Sequence, residues 1–299
     1  LRLLNEADKA AALGEVCRRY RVGGTGEGPV VSDQRSEISG RRTGNCDPRV
    51  FEVASDAFDS VPGKPFAYWV SDAIRETYRR LPAFESEGRT VKQGLATADD
   101  FRFVRVWWEL PSALFTNDKW SGRLTTSKKE IGATEQHWHP FAKGGIHSPF
   151  YADLYLMVNW ARKGMELDAF TGSVIRNPQF YLRPGFTWPN ATTLGMSTRL
   201  LPKGCVFGHM GPSGFICFDR NESIFSLVSI MNSRPFSVLV EMQLALAAEG
   251  RKHYEVGVIQ KTPVPDLGAA EQATLANLAR RAWSLKRTLD TSEETSHAF

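Results

Sequence analysis

Short apolar segments, broken at close intervals by turns that carry glycine and proline, constrain this chain more than any other feature. DLYLMVNW (153–160), QFYL (179–182), CVFGHM (205–210) and GFICF (214–218) each read as a short strand. FRFVRVWWEL (101–110) reads as a longer one, with Phe101, Phe103, Val104 and Val106 interleaved with Arg102 and Arg105. Turns built on Lys143-Gly144-Gly145, Arg183-Pro184-Gly185 and Pro202-Lys203-Gly204 punctuate the run. The pattern predicts an irregular, mostly antiparallel β domain.

Helical patterning brackets that region. Residues 1–20 are rich in Ala and Leu and read as a helix, whereas 21–49 turn polar around Gly23, Gly24, Gly26, Gly28 and Pro29. Phe66, Val70, Ile74 and Tyr78 recur every four residues and share a helix face, which Pro82 ends. Helices return at 222–232 and 235–248. YEVGVI (254–259) reads as a strand, and Pro263 and Pro265 then mark a boundary. Beyond it Leu275, Leu278, Ala282, Leu285 and Leu289 line one stripe of a long helix over 269–290, expected to pack on a neighbouring helix. The expected fold class is α+β, with a connector over 1–60, a β-rich domain over 61–265 and a helical segment over 266–299.

Composition narrows the functional classes. Hydrophobic residues at 42% and charged residues at 23% are those of a globular chain with a sizeable core. No apolar run reaches the ~18 residues of a spanning helix, and no basic-then-apolar leader opens the chain. No membrane association and a cytoplasmic setting are therefore expected. Cys17, Cys46, Cys205 and Cys217 form no CxxC pair, which fits that reducing setting. The start at Leu1 suggests a piece of a longer protein. Residues 61–265 hold 24 basic against 18 acidic side chains, a surplus that suits a polyanionic partner.

Catalytic constellations are hard to find. The glycines at 23–28 lack GxGxxG spacing, and there is no GxxxxGK[ST], GxSxG or HExxH pattern. His137 and His139 lie on the same side of an extended segment, but a third ligand at sensible spacing is lacking, so no metal site is expected. Asn177-Pro178-Gln179-Phe180 resembles the Asn/Asp-Pro-Pro-Tyr/Phe grip on a flipped adenine, yet Gln179 stands where the second proline belongs. It reads as a loop entering a strand. No catalytic residue is assigned to this chain.

A resemblance extends the reading. VPGKPFAYWVSD (61–72), FESEGRTVKQGLATADDFRFVRVWWE (84–109), PFAKGGIHSPFYADLYLMVNW (140–160) and SVIRNPQFYLRPGFTWP (173–189) follow one another in order. LPKGCVFGHMGPSGF (201–215), MNSRPFSVLVEMQL (231–244), YEVGVIQKTPVP (254–265) and LARRAWSLKRTLDTSEETSHAF (278–299) continue the series. Together they resemble the region that follows the catalytic domain in adenine-specific DNA methyltransferases of phage-defence systems (the BREX or Pgl kind) and of type IIG restriction–modification enzymes. The resemblance covers about four-fifths of the chain. It implies a target-recognition lobe like that of TaqI-like methyltransferases and type I specificity subunits, with double-stranded DNA as partner. It also implies an N-terminal methyltransferase domain outside this chain, and other defence-system subunits as further partners. S-adenosylmethionine is implied for the whole enzyme and no cofactor for this chain.

DNA-contacting candidates then sit on the loops. The Lys143, Gly144 and Gly145 turn can bring a lysine and backbone to a phosphate, or be a simple solvated turn. Arg183, Thr187 and Trp188 place a cation, a hydroxyl and a ring on one stretch, where Arg can read guanine and Thr or an aromatic can meet a thymine methyl. Trp188 can equally close the core. Arg102 and Arg105 can reach phosphates or pair with Asp99 or Glu109, and Lys203 adds a cation on its turn. Thr97, Asp99 and Asp100 are expected to satisfy turn amides. Two rival functions are a metal-dependent nuclease built on His137, His139 and neighbouring acids, and a protein- or glycan-binding module using the eight tryptophans.

Overall fold

The computed structural model describes residues 10–13, 15, 59–63, 65, 70–86, 88–111, 138–216, 221–244 and 250–298. The polar stretch 21–49, His137 and the end of the helix expected to 248 lie outside these residues. Of the helix expected over 1–20, residues 10–13 and 15 are described and helical. The chain divides into two compact units, Leu1–Arg80 and Leu81–Phe299. In the first, helix α1 (Asp72–Arg80) places Asp72 in its first turn and Arg79 and Arg80 in its last, matching the helix dipole. Arg75 is buried there, paired with Asp72 at 3.0 Å and donating to the Val70 carbonyl at 2.6 Å.

The second unit is α+β. Its strands are β1 (Arg89–Lys92), β2 (Val104–Val106), β3 (Trp138–Ala142), β4 (Leu156–Asn159) and β5 (Gly185–Thr187). They continue as β6 (Ala191–Thr192), β7 (Arg199–Leu201), β8 (Val206–Phe207), β9 (Ser213–Ile216) and β10 (Lys252–His253). One antiparallel sheet has the order β1-β9-β5-β7. A second has the order β2-β4-β3-β8, antiparallel except where β8 joins β3 in parallel, and β6 pairs with β10. Its longer helices are α2 (Asn221–Met231), α3 (Arg234–Gln243), α4 (Val256–Lys261) and α5 (Ala269–Leu289).

The period-two alternation of strands explains the layering. In β7, Leu200 faces a core shared with the helices, while its neighbour Leu201 faces a second core with Phe141, Phe207 and Trp160. In β9, Ile216 and Phe215 divide the same way. The first sheet is thus the middle layer, with helices on one side and the second sheet on the other. Gly214 is where β9 crosses Phe186 of β5, and a Cβ there would lie 2.1 Å from the phenylalanine ring. Only glycine lets the two strands approach so closely.

Four expectations need correction. The 101–110 segment is not one strand. Asp99 accepts from the Arg102 amide at 3.1 Å and caps a single helical turn over 100–103, and Trp107–Glu109 form another short turn. Only Val104–Val106 pair with β4, since the cap diverts the backbone before alternation can extend. QFYL is not a strand either; Pro178–Phe180 make a tight 3-10 turn after Asn177, whose φ is 53°. Pro178 opens that turn without an amide to lose. YEVGVI contains helix α4 rather than a strand, with Ile259 turned inward; an apolar run this short fits either period.

The fourth correction concerns α5. It does pack on α2, but through Ala276 and Ala279, with Ser229 donating to the Leu275 carbonyl at 2.9 Å. Leu278, Leu285 and Leu289 of the expected stripe are exposed, Leu289 by 72%. Small side chains let two helix backbones come together, so the alanines rather than the leucines mark the contact. Among the described residues no single helix is long and apolar enough to cross a membrane.

Strand β1 is also held from outside the sheet. Partial burial pushes the Glu85 carboxyl up, but bonds from Thr90 Oγ1 (2.7 Å), Lys92 Nζ (3.0 Å) and the Val91 amide (3.0 Å) together hold it below the usual carboxylate range. A depressed folded pKa contributes stability above the unfolded value and loses it as pH falls through the folded one. The urea midpoint should therefore drop between pH 6 and pH 3 by less in Glu85→Gln than in the parent chain. Equal drops would show that this carboxylate carries none of the acid sensitivity.

Candidate nucleic-acid interface

Three of the sequence-selected cations gather at one corner of the second sheet. Thr97 Oγ1 donates to Asp100 at 2.6 Å, and the other Asp100 oxygen accepts from Lys143 Nζ, so the loop after β3 is tied to the turn before β2. Arg102 pairs with Glu166 at 2.8 Å, with both side chains half exposed, and its guanidinium lies over the Phe103 and Phe170 rings. Arg105 donates to the carbonyls of Phe101 and Val104. Its partner is backbone, not Asp99 or Glu109. Beside these groups Phe101 is 94% exposed.

A second group forms around Arg183. The Gly204 amide donates to the Leu182 carbonyl at 3.0 Å, and the Leu182 amide donates to the Cys205 carbonyl at 2.8 Å, which sets the Arg183 turn beside the exposed Lys203 turn. The Arg183 guanidinium donates to the Ile216 carbonyl at 3.1 Å and covers the Phe180 and Phe215 rings at 5.6 and 5.9 Å. Stacking on two rings holds the fork in a fixed plane, a starting point for bidentate recognition.

Thr187 and Trp188 are placed otherwise. Thr187 is buried in β5 and its hydroxyl lies against the Gly211 and Pro212 carbonyls. Trp188 has no exposed surface, and its indole N–H donates to the Tyr254 carbonyl at 2.8 Å. Side chains so enclosed cannot reach a duplex while the lobe is folded. They shape the platform beneath the cationic turns.

The Lys143-Gly144-Gly145 turn has a second task. Both glycines have φ of 98°, and a Cβ on Gly144 would lie 2.5 Å from the Met210 carbonyl. This backbone presents the Gly144 and Ile146 carbonyls to Arg199, a β7 residue only 3% exposed. Burial pushes the Arg199 guanidinium down to about 10. Arg199, Lys143, Gly144, Arg251, Tyr155 and Lys286 are among the residues lining a cavity of ≈730 Å³. Sequence reasoning passed over Arg199. The only available signal was a cation directly before the apolar pair Leu200-Leu201, and nothing local distinguishes it from a surface arginine.

The motifs that imitate catalytic groups are engaged internally. Asn177 Nδ2 donates to the Gln93 carbonyl at 2.9 Å, and Phe180 packs on Phe215 at 5.0 Å. An amide and ring so placed do not fit the grip on an adenine. His139 lies in β3 with Nδ1 3.3 Å from the Gly204 carbonyl, and burial lowers its pKa. Among the described residues no group of three or more His, Cys, Asp or Glu is placed to hold a metal. The Gly144–Gly145 turn after β3 opens no helix and the Gly144 carbonyl holds Arg199, so this turn does not fit a glycine-rich S-adenosylmethionine loop.

No protein-family model matches the chain. Over 244 residues, 81% of the chain, it is 27% identical to the adenine-specific methyltransferase BrxX of Escherichia coli O9:H4 (strain HS). Over 200 residues, 64% of the chain, it is 26% identical to the adenine-specific methyltransferase PglX of Lacticaseibacillus casei (strain Zhang). The chain is similar to a segment of adenine-specific methyltransferases. It spans less than a fifth of either relative, 18% of the first and 16% of the second.

Proposed function

We propose that this chain is the DNA-reading segment of an S-adenosylmethionine-dependent N6-adenine methyltransferase acting in phage defence or restriction–modification. The similarity to adenine-specific methyltransferases across 81% of the chain carries this reading. Within it, residues 61–265 are the recognition domain, 1–60 the connector from the catalytic part and 266–299 a helical attachment. The enzyme's methyl transfer belongs to residues outside this chain. The recognition lobe is of the kind found in TaqI-like methyltransferases and type I specificity subunits.

Two roles are separable on chemical grounds. Lys143, Arg102, Arg105 and Lys203 are point or paired charges suited to backbone phosphates, which fix register without reading sequence. Arg183, stacked and planar, suits the O6 and N7 edge of guanine. The basic surplus over 61–265, 24 against 18, supports attraction to a polyanion.

Lys143→Ala should weaken binding to all duplexes alike and make the log–log salt slope shallower by about one. Arg183→Ala should instead lower affinity for the preferred site by ~1–3 kcal/mol and relax preference at one base pair. Fluorescence anisotropy with labelled duplexes at several salt concentrations measures both. If neither substitution changes affinity, slope or preference in a chain with unaltered circular dichroism, these turns do not face DNA.

A further inference from the structure

The cavity beside β7 holds a charge that its surroundings do not neutralise. Arg199 is 3% exposed, and its guanidinium is held by neutral oxygens, the carbonyls of Ile146 (2.8 Å) and Gly144. Among the described residues its Nε has no hydrogen-bond partner and no carboxylate pairs with it. A buried cation ordinarily pairs with an acid, because desolvating an isolated charge is expensive. Here the fold instead fixes the charge in place. Asn232 at the end of α2 exchanges bonds of 2.8 and 2.7 Å with the Thr198 backbone, immediately before Arg199.

A second cation repeats the arrangement from another element. Lys286 of α5 donates to Ser148 Oγ at 2.6 Å and the Pro149 carbonyl at 3.0 Å, again neutral oxygens. Its pKa is lowered by burial and then by Arg199, with Asp290 opposing in part, so the two cations act on one another across the cavity. Two cations on one cavity, one of them buried and without an acid, are an arrangement that an anion completes. Two carboxylates also line the cavity, and Asp290 offsets part of the Lys286 charge but does not pair with Arg199. Asp153 accepts from the His297 amide at 3.1 Å, while Asp290 is pushed up by burial and by Asp153.

Size and lining indicate the class of anion. At ≈730 Å³ the cavity exceeds what a bare oxyanion needs and falls in the range of small-molecule sites. Tyr151, Tyr155 and Phe141 supply ring surface and Asn190 an amide along its wall. A phosphate offers three strong acceptor oxygens to cations arriving from different directions, which a planar carboxylate does not. Such a lining also accommodates the sugar and base attached to it.

We propose that this cavity binds the phosphate group of a nucleotide, with Arg199 and Lys286 as its two cationic contacts. The same phosphate chemistry is offered by a free nucleotide and by a nucleotide within DNA; the second source rests on the function proposed above, and the first does not.

Calorimetry with adenosine monophosphate and with inorganic phosphate tests the free source, and anisotropy with a short duplex tests the other. Both use the full chain, Lys286→Met and Arg199→Gln. Lys286→Met keeps the aliphatic stem on a helix surface and guards against misfolding of the buried variant. If a free nucleotide is the ligand, saturable binding of the monophosphate should weaken roughly ten- to hundred-fold in Lys286→Met, and Lys286→Arg should restore most of it. Should the monophosphate fail to bind while the same substitution weakens the duplex and makes its salt slope shallower by about one, the phosphate is that of DNA. A chain that binds duplex unchanged in the folded variants, and binds no monophosphate, overturns the site but leaves the DNA-reading function standing. A chain that binds the monophosphate but no duplex retains the site and removes that function.

Discussion

Trp188→Ala is expected to destabilise the second unit by about 3–5 kcal/mol, the range for truncating a buried aromatic side chain. The indole is fully enclosed, stacks on Phe186 at 6.3 Å and shares a core with Phe84 and Tyr254. Its loss opens a cavity and also leaves the Tyr254 carbonyl without the donor it now has at 2.8 Å. Urea denaturation followed by tryptophan fluorescence measures the change. A midpoint that hardly moves, with lowered affinity for duplex DNA, would place Trp188 on the surface and contradict the packing described here.

Gly144→Ala is expected to act almost as strongly, by a different route. An alanine at φ of 98° carries backbone strain of about 1–3 kcal/mol. Its Cβ would also fall 2.5 Å from the Met210 carbonyl, and relieving that overlap moves backbone at a further cost of about 1–3 kcal/mol. Gly145→Ala is the matched control. It has the same φ, but its Cβ would meet only the Arg199 guanidinium, at an ordinary 3.6 Å. The two substitutions should therefore share the strain, and Gly144→Ala should exceed Gly145→Ala by the overlap alone. Equal thermal shifts would mean that the turn yields at Met210.

How much of this was legible follows from what local sequence encodes. Short apolar runs between Gly and Pro turns located β4, β8 and β9, and helical periodicity located α5. The 101–110 segment misled because its alternation is genuine but shorter than it looks. Asp99 and Asp100 begin a capped turn, and a cap outweighs the strand preference of the residues after it. The α5 leucines misled for a packing reason. A leucine stripe reads as the buried face on hydrophobicity alone, yet close approach of α2 and α5 selects Ala276 and Ala279. Side-chain size across the contact, which no single helix shows, decided the matter.

The candidate site was legible at its turns and illegible beneath them. Gly and Pro mark turns wherever they lie, so Lys143, Arg183 and Lys203 could be picked out with their elements unknown. Thr187 and Trp188 follow the Arg183 turn, yet they enter β5 and the core, since strand burial depends on neighbours 24 to 66 residues away. Arg199 and Lys286 are 87 positions apart in the chain, and Gly144 a further 55 before Arg199. Their meeting is a property of topology. An unpaired buried cation becomes visible only once every neighbour has been placed.

Selection from a pool of random duplexes tests the central claim most directly. The folded chain is incubated with the pool at about 50 and 200 mM salt, spanning the range where phosphate contacts lose most of their strength. Bound duplexes are then sequenced. The expected result is enrichment of one short adenine-containing sequence, narrowed to fewer specified positions in Arg183→Ala. Recovery of an unenriched pool, at both salt concentrations and from a chain with native circular dichroism, would contradict the assignment of this chain as a reader of DNA sequence.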